Sequence, residues 1–430
     1  MKNKTGAVLI VVAFILAAFS FPVKGFAEGK INLKPMTSTS SKTESYRKGK
    51  VTVRPLITVS SRVDSNFYKS ETNKKDVYTY LIKPGILLGY STPKSSISLK
   101  YTLDAHFYKN QHGSDTPEAE VDDYVGHTAI LTAETQPFDR LSMGLENSFY
   151  KTRDSAKLND IGEQTGRAKY TINRLTPSIF YEFENKFSAG FRYRNTITDY
   201  SNENLEDSTE NRGMFDLIYN FSPRSSIDLE YQVWQRDYDL LTSDYTSNQV
   251  KLILKKQFNY FSFEAGAGYH NRSFDQNSLN DIDVVSYRFA VTGQNPPFPE
   301  GKPKSYITLA AERNFNDSGT GNNYYTANDF SLEIGRRFQG KLLINLKGSY
   351  KISNYENITG LDSETREDDY YRISTGLSYE YSPQAILALI LGHESRDSNL
   401  AEDYDNTFFQ VSLDYYHNLL GPKEIDEEEL

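Results

Sequence analysis

The sequence predicts an all-β protein, a transmembrane antiparallel up-and-down β-barrel of about 18 strands, with roughly 16–18 as the expected range. Three observations predict it. Apolar and polar residues alternate with period two over segments of about 9–14 residues, a length that lets a tilted strand cross a bilayer. Short turns and longer polar loops join these segments alternately. Aromatic residues are abundant, with 32 Tyr and 25 Phe, although the mean hydropathy is only -0.61.

The N-terminal segment predicts export. Lys2 and Lys4 precede an apolar run from residue 7 to about residue 21, which ends at Gly25-Phe26-Ala27. This pattern predicts a signal peptide of residues 1–27, cleaved near Ala27. The run is too short for a membrane anchor helix, which needs about 20 apolar residues. Residues 28–50 are rich in Ser, Thr and Lys and are expected to form a disordered periplasmic lead-in.

Residues 51–418 are expected to form the barrel. Between positions 96 and 109, Ile97, Leu99 and Tyr101 share one face of a strand, while Lys100 and Asp104 share the other. Soluble β-propellers and sandwiches also contain alternating strands, but their turn signals recur every 8–12 residues, whereas hairpins here span about 25–30 residues. The membrane barrel is therefore favoured. Residues 419–430 are expected to form an acidic periplasmic tail.

The connections predict how the barrel is oriented. Short turn sequences lie at 92–94, 136–138, 222–224 and 382–384, among others. The longer connections, such as 110–122, 200–211 and 356–369, are polar and acidic. Bacterial barrels have short periplasmic turns and longer external loops, so we expect the acidic loops outside. The connection at 296–304 is longer than the other periplasmic turns.

A barrel of this size leaves an aqueous interior. The alternation places charged residues of both signs on the inner face, and these are the candidate functional residues. These charges can create an electric field that selects solutes, or they can simply form ion pairs with one another across the wall. The lumen-facing candidates are Lys100, Asp104, Arg192, Arg194, Asp228, Glu230, Glu264, Arg272, Arg288, Glu333, Arg337, Lys347, Arg372 and Glu380.

Composition excludes several other functions. The absence of cysteine excludes disulfides, thiolate metal sites and a lipidated N-terminus. The formal charge of -9 argues against a nucleic-acid partner. No catalytic residue, metal site or cofactor is predicted, and we expect no enzyme activity. The alternative is a rim hydrolase using His393 and Ser395, which share one strand face. Residues 385–391 are apolar on both faces, which predicts a covered inner side.

The first strands contain a recognisable motif. Asp64 and Asn66 end one strand, and Pro84 and Gly85 lie in the next. This arrangement resembles the β-barrel porin type 2 family, whose members often occur with exopolysaccharide or capsule export systems. The resemblance implies an outer-membrane pore for polysaccharide secretion with periplasmic export proteins as partners. The four motif residues are expected to shape the first hairpin rather than bind sugar.

The location and alternatives follow from this interpretation. We expect the protein in the outer membrane of a Gram-negative bacterium, in contact with lipid and lipopolysaccharide. A general or selective uptake porin is the main alternative to polysaccharide export, and a surface adhesin barrel is a further one. The sequence leaves open the substrate, the oligomeric state and whether the lumen is plugged.

Overall fold

The computed structural model describes residues 50–72, 74–110, 123–153, 169–183, 186–201, 206–240, 242–297, 303–315, 324–355, 365–401 and 403–420. The predicted signal peptide, almost all of the lead-in and most of the acidic tail lie outside these residues. None of the described residues forms a helix long and apolar enough to cross a membrane.

Eighteen β-strands make up the described chain. They are β1 (Lys50–Asp64), β2 (Val77–Ser91), β3 (Ser95–Asn110), β4 (Tyr124–Phe138), β5 (Leu141–Thr152), β6 (Tyr170–Glu182), β7 (Phe187–Tyr200), β8 (Ser208–Ser222), β9 (Ser225–Tyr238), β10 (Tyr245–Gln257), β11 (Phe261–Phe274), β12 (Ile282–Asn295), β13 (Ser305–Phe315), β14 (Tyr325–Phe338), β15 (Leu342–Tyr355), β16 (Glu367–Ser382), β17 (Ala385–Ser398) and β18 (Tyr404–Tyr416).

The strands close into one antiparallel barrel. Each strand pairs with its neighbours in sequence, and β1 pairs with β18, so that Leu56 lies opposite Tyr416 and Asp64 opposite Phe408. Followed once round the wall, the register is staggered by about 22 residues, which for 18 strands implies a tilt of about 40° and a backbone diameter of roughly 35 Å. The prediction of an all-β antiparallel barrel of about 18 strands is confirmed.

Several strands extend beyond the predicted boundaries. β8 begins at Ser208, although residues 200–211 were expected to form a loop, and β4 continues to Phe138 through a predicted turn. At the loop end the residues of β8 are polar, because a strand that rises above the bilayer needs no apolar outer face. The amino-acid composition of this end of β8 resembles that of a loop, although its backbone still pairs with the neighbouring strands. The connections at 65–76 and 239–244 also belong to the longer loops, which alternate with the short turns.

The chain continues along β1 after the last strand. The backbone N–H of His417 donates to the carbonyl of Pro55 at 3.0 Å, and that of Leu419 donates to the carbonyl of Val53 at 3.0 Å. These bonds pair the N-terminal end of β1 with the residues that follow β18. Both ends of the described barrel wall are therefore tied together.

Candidate functional site

The two faces of the barrel wall differ sharply in chemistry. On β3, Ile97, Leu99 and Tyr101 point outward and are exposed by 47%, 38% and 38%, whereas Thr102 on the other face is fully buried. The same holds round the wall, where large apolar side chains are exposed on the outer face of strand after strand. A continuous apolar surface of this kind is what a lipid bilayer covers. The opposite, polar face lines the lumen.

The strand register places all fourteen predicted lumen-facing candidates on the inner face. Starting from the inward Thr58, the pairing carries inward positions to Lys83 on β2 and Asp104 on β3, and so on round the wall. The inner set includes Lys100, Asp104, Arg192, Arg194, Asp228, Glu230, Glu264, Arg272, Arg288, Glu333, Arg337, Lys347, Arg372 and Glu380.

Ion pairs cross the inner face between these candidates. Arg288 binds Glu264 at 2.8 Å, and Lys347 binds Glu333 at 3.3 Å. Arg337 pairs with Glu380 across two strand boundaries. These contacts join residues that the sequence placed on the same face but could not assign as partners.

Other candidates pair with residues that sequence reasoning missed. The carboxylate of Asp104 binds Lys83 at 3.1 Å, and Arg192 binds Asp216 at 2.8 Å. Asp228 binds Lys255. Strand alternation places the missed residues inward as well, so the same signal could have found them.

The densest charged cluster surrounds Glu210, a fourth inward residue that sequence reasoning missed. Its carboxylate is almost fully buried and binds Arg194 on β7 at 2.9 Å, Arg212 beside it on β8 at 2.9 Å and Arg236 on β9 at 3.1 Å. We call Arg192, Arg194, Arg212, Arg236 and Glu210 the arginine arc. Three guanidinium groups share this one carboxylate, so the arc carries excess positive charge.

An aromatic stack lies next to the arc on the inner face. Arg212 lies over the ring of Trp234, with its Cζ 4.1 Å from the ring centroid. The Trp234 ring stacks on His270 at 5.3 Å, and His270 stacks on Phe315 at 3.6 Å. The hydroxyl of Tyr324 lies 3.2 Å from Nδ1 of the same histidine. Trp234 and His270 are buried, so these rings form a packed wall rather than an open platform.

The family-motif residues fasten the β1–β2 loop. Asp64 is buried and its Oδ1 accepts from Nδ2 of Asn406 at 2.9 Å. The backbone N–H of Asn66 donates to Oδ1 of Asn406 at 3.0 Å, and Nδ2 of Asn66 donates to the carbonyl of Ser70 at 2.7 Å. Asp64 and Asn66 thus shape the first connection by holding it against Asn406 of β18, across the seam at which β1 and β18 pair.

Pro84 and Gly85 mark a close approach of β2 to β3. Pro84 lacks an N–H, and the β2–β3 pairing is interrupted between Ile82 and Gly85. A Cβ on Gly85 would lie 2.6 Å from the carbonyl oxygen of Tyr101. Glycine is therefore required by space at this inward position.

Lys69 of the β1–β2 loop extends the motif network into the lumen. Its Nζ binds Glu394 at 2.6 Å, and Oε1 of Glu394 also accepts from Asn406 at 3.1 Å. Tyr370 donates its hydroxyl to Oε2 of the same carboxylate at 2.8 Å. Glu394 is not among the predicted lumen-facing candidates, but the structure makes it the anchor of this loop.

His393 and Ser395 share the outer face of β17, as the alternation predicts. The two ring nitrogens of His393 lie 2.9 Å from the Thr407 hydroxyl and 3.4 Å from the Tyr371 hydroxyl. A nucleophile and base pair needs a hydrogen bond between the histidine and the serine, and these partners occupy both nitrogens. No group of three metal-ligating side chains occurs among the described residues.

The predicted cover over β17 is not supported by the described residues. Ile386, Ala388 and Ile390 are the inward apolar residues of this strand, and all three are only half-buried. Within the described ranges this apolar strip therefore remains part of the lumen wall.

The fold and the lumen together define the class of this protein, an outer-membrane β-barrel of the porin type. A family model described as "Putative beta-barrel porin 2" matches residues 259–416, from the turn before β11 to the end of β18. The predicted resemblance is confirmed, although the matched residues lie in the second half of the chain and the motif residues at 64–85 lie outside them.

Solved outer-membrane proteins show a distant likeness. The outer membrane protein opdK from Pseudomonas aeruginosa has a TM-score of 0.49 and 12% identity, covering 85% of this chain and 99% of that one. OccAB4 from Acinetobacter baumannii has a TM-score of 0.49 and 12% identity, with 86% and 99% covered. OccK9 (OpdG) from Pseudomonas aeruginosa has a TM-score of 0.48 and 9% identity, with 86% and 99% covered. No curated protein sequence matches the chain significantly.

Proposed function

We propose that the protein is a diffusion porin that admits small polar solutes into the periplasm. The supporting observation is a closed wall of 18 strands whose inner face carries charged and polar side chains. Barrels of 16–18 strands are too wide for side chains to fill. Solutes that keep a hydration shell can cross such a lumen, and charged groups along it tune which of them do.

Polysaccharide export receives less support from the inner face. A channel for sugar polymers benefits from exposed aromatic rings on which sugars stack. Of the inward rings, those of Tyr170, Trp234, Tyr245, Tyr325 and Tyr416 are buried, each at most 4% exposed, whereas those of Tyr108, Tyr124 and Tyr150 are half-buried. By contrast, the charged side chains of Lys347 and Arg372 on the inner face are exposed. The described wall therefore offers exposed charged groups but no fully exposed ring among these inward aromatic residues, which favours small polar solutes over a stacked polymer.

Single cysteines test whether the lumen holds water, because the natural chain contains none. Ala310 lies opposite Ala290 on the inner face of β13, and the next residue, Ala311, lies opposite Phe289 on the lipid face. We expect a membrane-impermeant thiol reagent to label Ala310→Cys in vesicles but not Ala311→Cys. An unlabelled Ala310→Cys in a folded barrel would mean an occluded lumen and would overturn the proposal.

Transport itself is tested in bilayers and in cells. Purified protein in planar bilayers is expected to give stepwise conductance, and vesicles containing it should swell more slowly as the sugar offered becomes larger. Deletion of the gene is expected to leave the amount and location of surface polysaccharide unchanged. Loss of that polysaccharide, or a barrel without conductance, would contradict the uptake function.

A further inference from the structure

In most ion pairs of the lumen, the cation is more exposed to water than the carboxylate it binds. In the pair of Arg194 with Glu210, the cation is 23% exposed and the carboxylate 1%. Lys255 and Asp228 are 41% and 6% exposed, and Lys347 and Glu333 are 55% and 14% exposed. The cation is also the more exposed partner in Arg62–Asp64, Lys69–Glu394, Lys83–Asp104, Arg192–Asp216, Arg212–Glu210, Arg236–Glu210 and Arg366–Asp368.

Two inner-face pairs depart from this order. Arg288 and Glu264 are equally exposed within one per cent, and Glu380 is more exposed than Arg337. Glu380 lies near the periplasmic end of β16, far from the arginine arc. The order therefore holds for ten of these twelve inner-face pairs.

Side-chain length explains the asymmetry. Lys and Arg extend their charge on long apolar stems, whereas Asp and Glu hold theirs close to the backbone. A pair that is neutral in total then forms a dipole with its positive end toward the lumen. Because Coulomb energy falls with distance, an ion in the lumen meets the nearer cation more strongly than the carboxylate behind it.

The arginine arc adds net charge to this dipole effect. Glu210 carries one negative charge, and the guanidinium groups of Arg194, Arg212 and Arg236 carry three positive ones. Arg192 and Arg194 lie two residues apart on β7, both on its inner face, and each keeps about a fifth of its side chain exposed. Each binds its wall carboxylate, Asp216 or Glu210, through one Nη2. Guanidinium groups have five N–H donors and bind carboxylates through parallel hydrogen bonds, so the exposed parts of these two side chains can take a further carboxylate.

We propose that the lumen prefers anions, and that small carboxylates bind at Arg192 and Arg194 of the arginine arc as they cross. The inference rests on the proposed porin function and adds a substrate class to it. It runs against the overall composition, since a chain of formal charge -9 with acidic loops would by itself favour cations. Local geometry, rather than total charge, sets the preference.

Reversal potentials in planar bilayers separate this inference from the proposed function. With a tenfold KCl gradient, we expect a potential whose sign gives a chloride-to-potassium permeability ratio above one. Absence of conductance would overturn the porin function itself. Conductance with a ratio of one or below would leave the porin function standing and overturn only the anion preference.

Three matched variants locate the effect. Arg194→Gln and Lys347→Gln are each expected to lower the permeability ratio; Lys347 is more than half exposed, so that variant should fold even if the other does not. Lys94→Gln removes a cation outside the lumen, in the β2–β3 turn, and should leave the ratio unchanged. An equal shift in Lys94→Gln would contradict a luminal origin.

Block by succinate tests the binding site. Succinate is expected to reduce the chloride current of the natural protein at millimolar concentration, and severalfold higher concentrations should be needed for Arg194→Gln. Lys94→Gln should be blocked like the natural protein. Equal block in all three proteins would place succinate binding elsewhere and overturn the assignment to the arc.

Discussion

Asn406 ties the barrel seam to the β1–β2 loop, and its replacement should release that loop. Its Nδ2 donates to Asp64 Oδ1 at 2.9 Å and to Glu394 Oε1 at 3.1 Å, and its Oδ1 accepts from the backbone N–H of Asn66 at 3.0 Å. The side chain is fully buried. Asn406→Ala removes all three bonds and leaves each partner in place.

The expected loss can be worked out from these contacts. A hydrogen bond to a charged group contributes about 1.5–3 kcal/mol, and an unpaired buried N–H costs about 1–3 kcal/mol. Taking the lower figures, Asn406→Ala should lower the free energy of unfolding by about 4 kcal/mol.

Asn406→Asp keeps the shape of the side chain but brings a third carboxylate to Asp64 and Glu394. Two like charges about 4 Å apart repel by about 4 kcal/mol at an effective dielectric constant of about 20. Arg62 and Lys69 already bind these carboxylates and offset only part of the repulsion. At neutral pH the aspartate variant should therefore be less stable than the alanine variant.

Urea unfolding of the barrel refolded into lipid vesicles, followed by gel mobility, measures both effects. Asn248→Ala is the control, because it removes one outer-face hydrogen bond from Tyr231 of 3.0 Å, for an expected change of about 1 kcal/mol or less. The reasoning is refuted if Asn406→Ala stays within about 1 kcal/mol of the natural protein, or if Asn406→Asp is the more stable variant.

Three further predictions test the faces and the packing of the wall. Trp234 is the single tryptophan of the chain and is 1% exposed on the inner face, so brominated lipids should not quench its fluorescence; strong quenching would place it against lipid. Gly335→Ala should destabilise the barrel by about 1–3 kcal/mol in the same urea assay, because a Cβ there lies 2.2 Å from the Tyr306 ring. Gly348→Ala meets no atom within 4 Å, and an equal loss in both would disprove the clash. Leu252→Arg, at a lipid-facing position that is 56% exposed, should cost about 2–4 kcal/mol, and an unchanged unfolding curve would place residue 252 outside the bilayer.

The face of a strand residue is the feature most easily predicted from the sequence, because only two outcomes exist. A residue in a barrel strand faces either lipid or lumen, so alternation alone placed Arg192, Arg194 and Glu333 inward. The same alternation puts Trp234 inward, because it follows Val233 of the lipid face. Strand ends were less predictable, since residues 208–213 at the loop end of β8 are polar or glycine on both faces, as a strand can be above the bilayer.

The sequence by itself therefore determined the barrel, its approximate strand number and the face of the fourteen predicted charges, because period two and turn chemistry act locally along the chain. Only the tertiary structure decided which charges meet. A slip of two residues keeps every side chain on its face but changes all of its partners, and no local pattern records that register. The sharing of Glu210 by Arg194, Arg212 and Arg236 depends on the alignment of three strands. So does the greater exposure of most luminal cations relative to their carboxylates, from which we infer the anion preference.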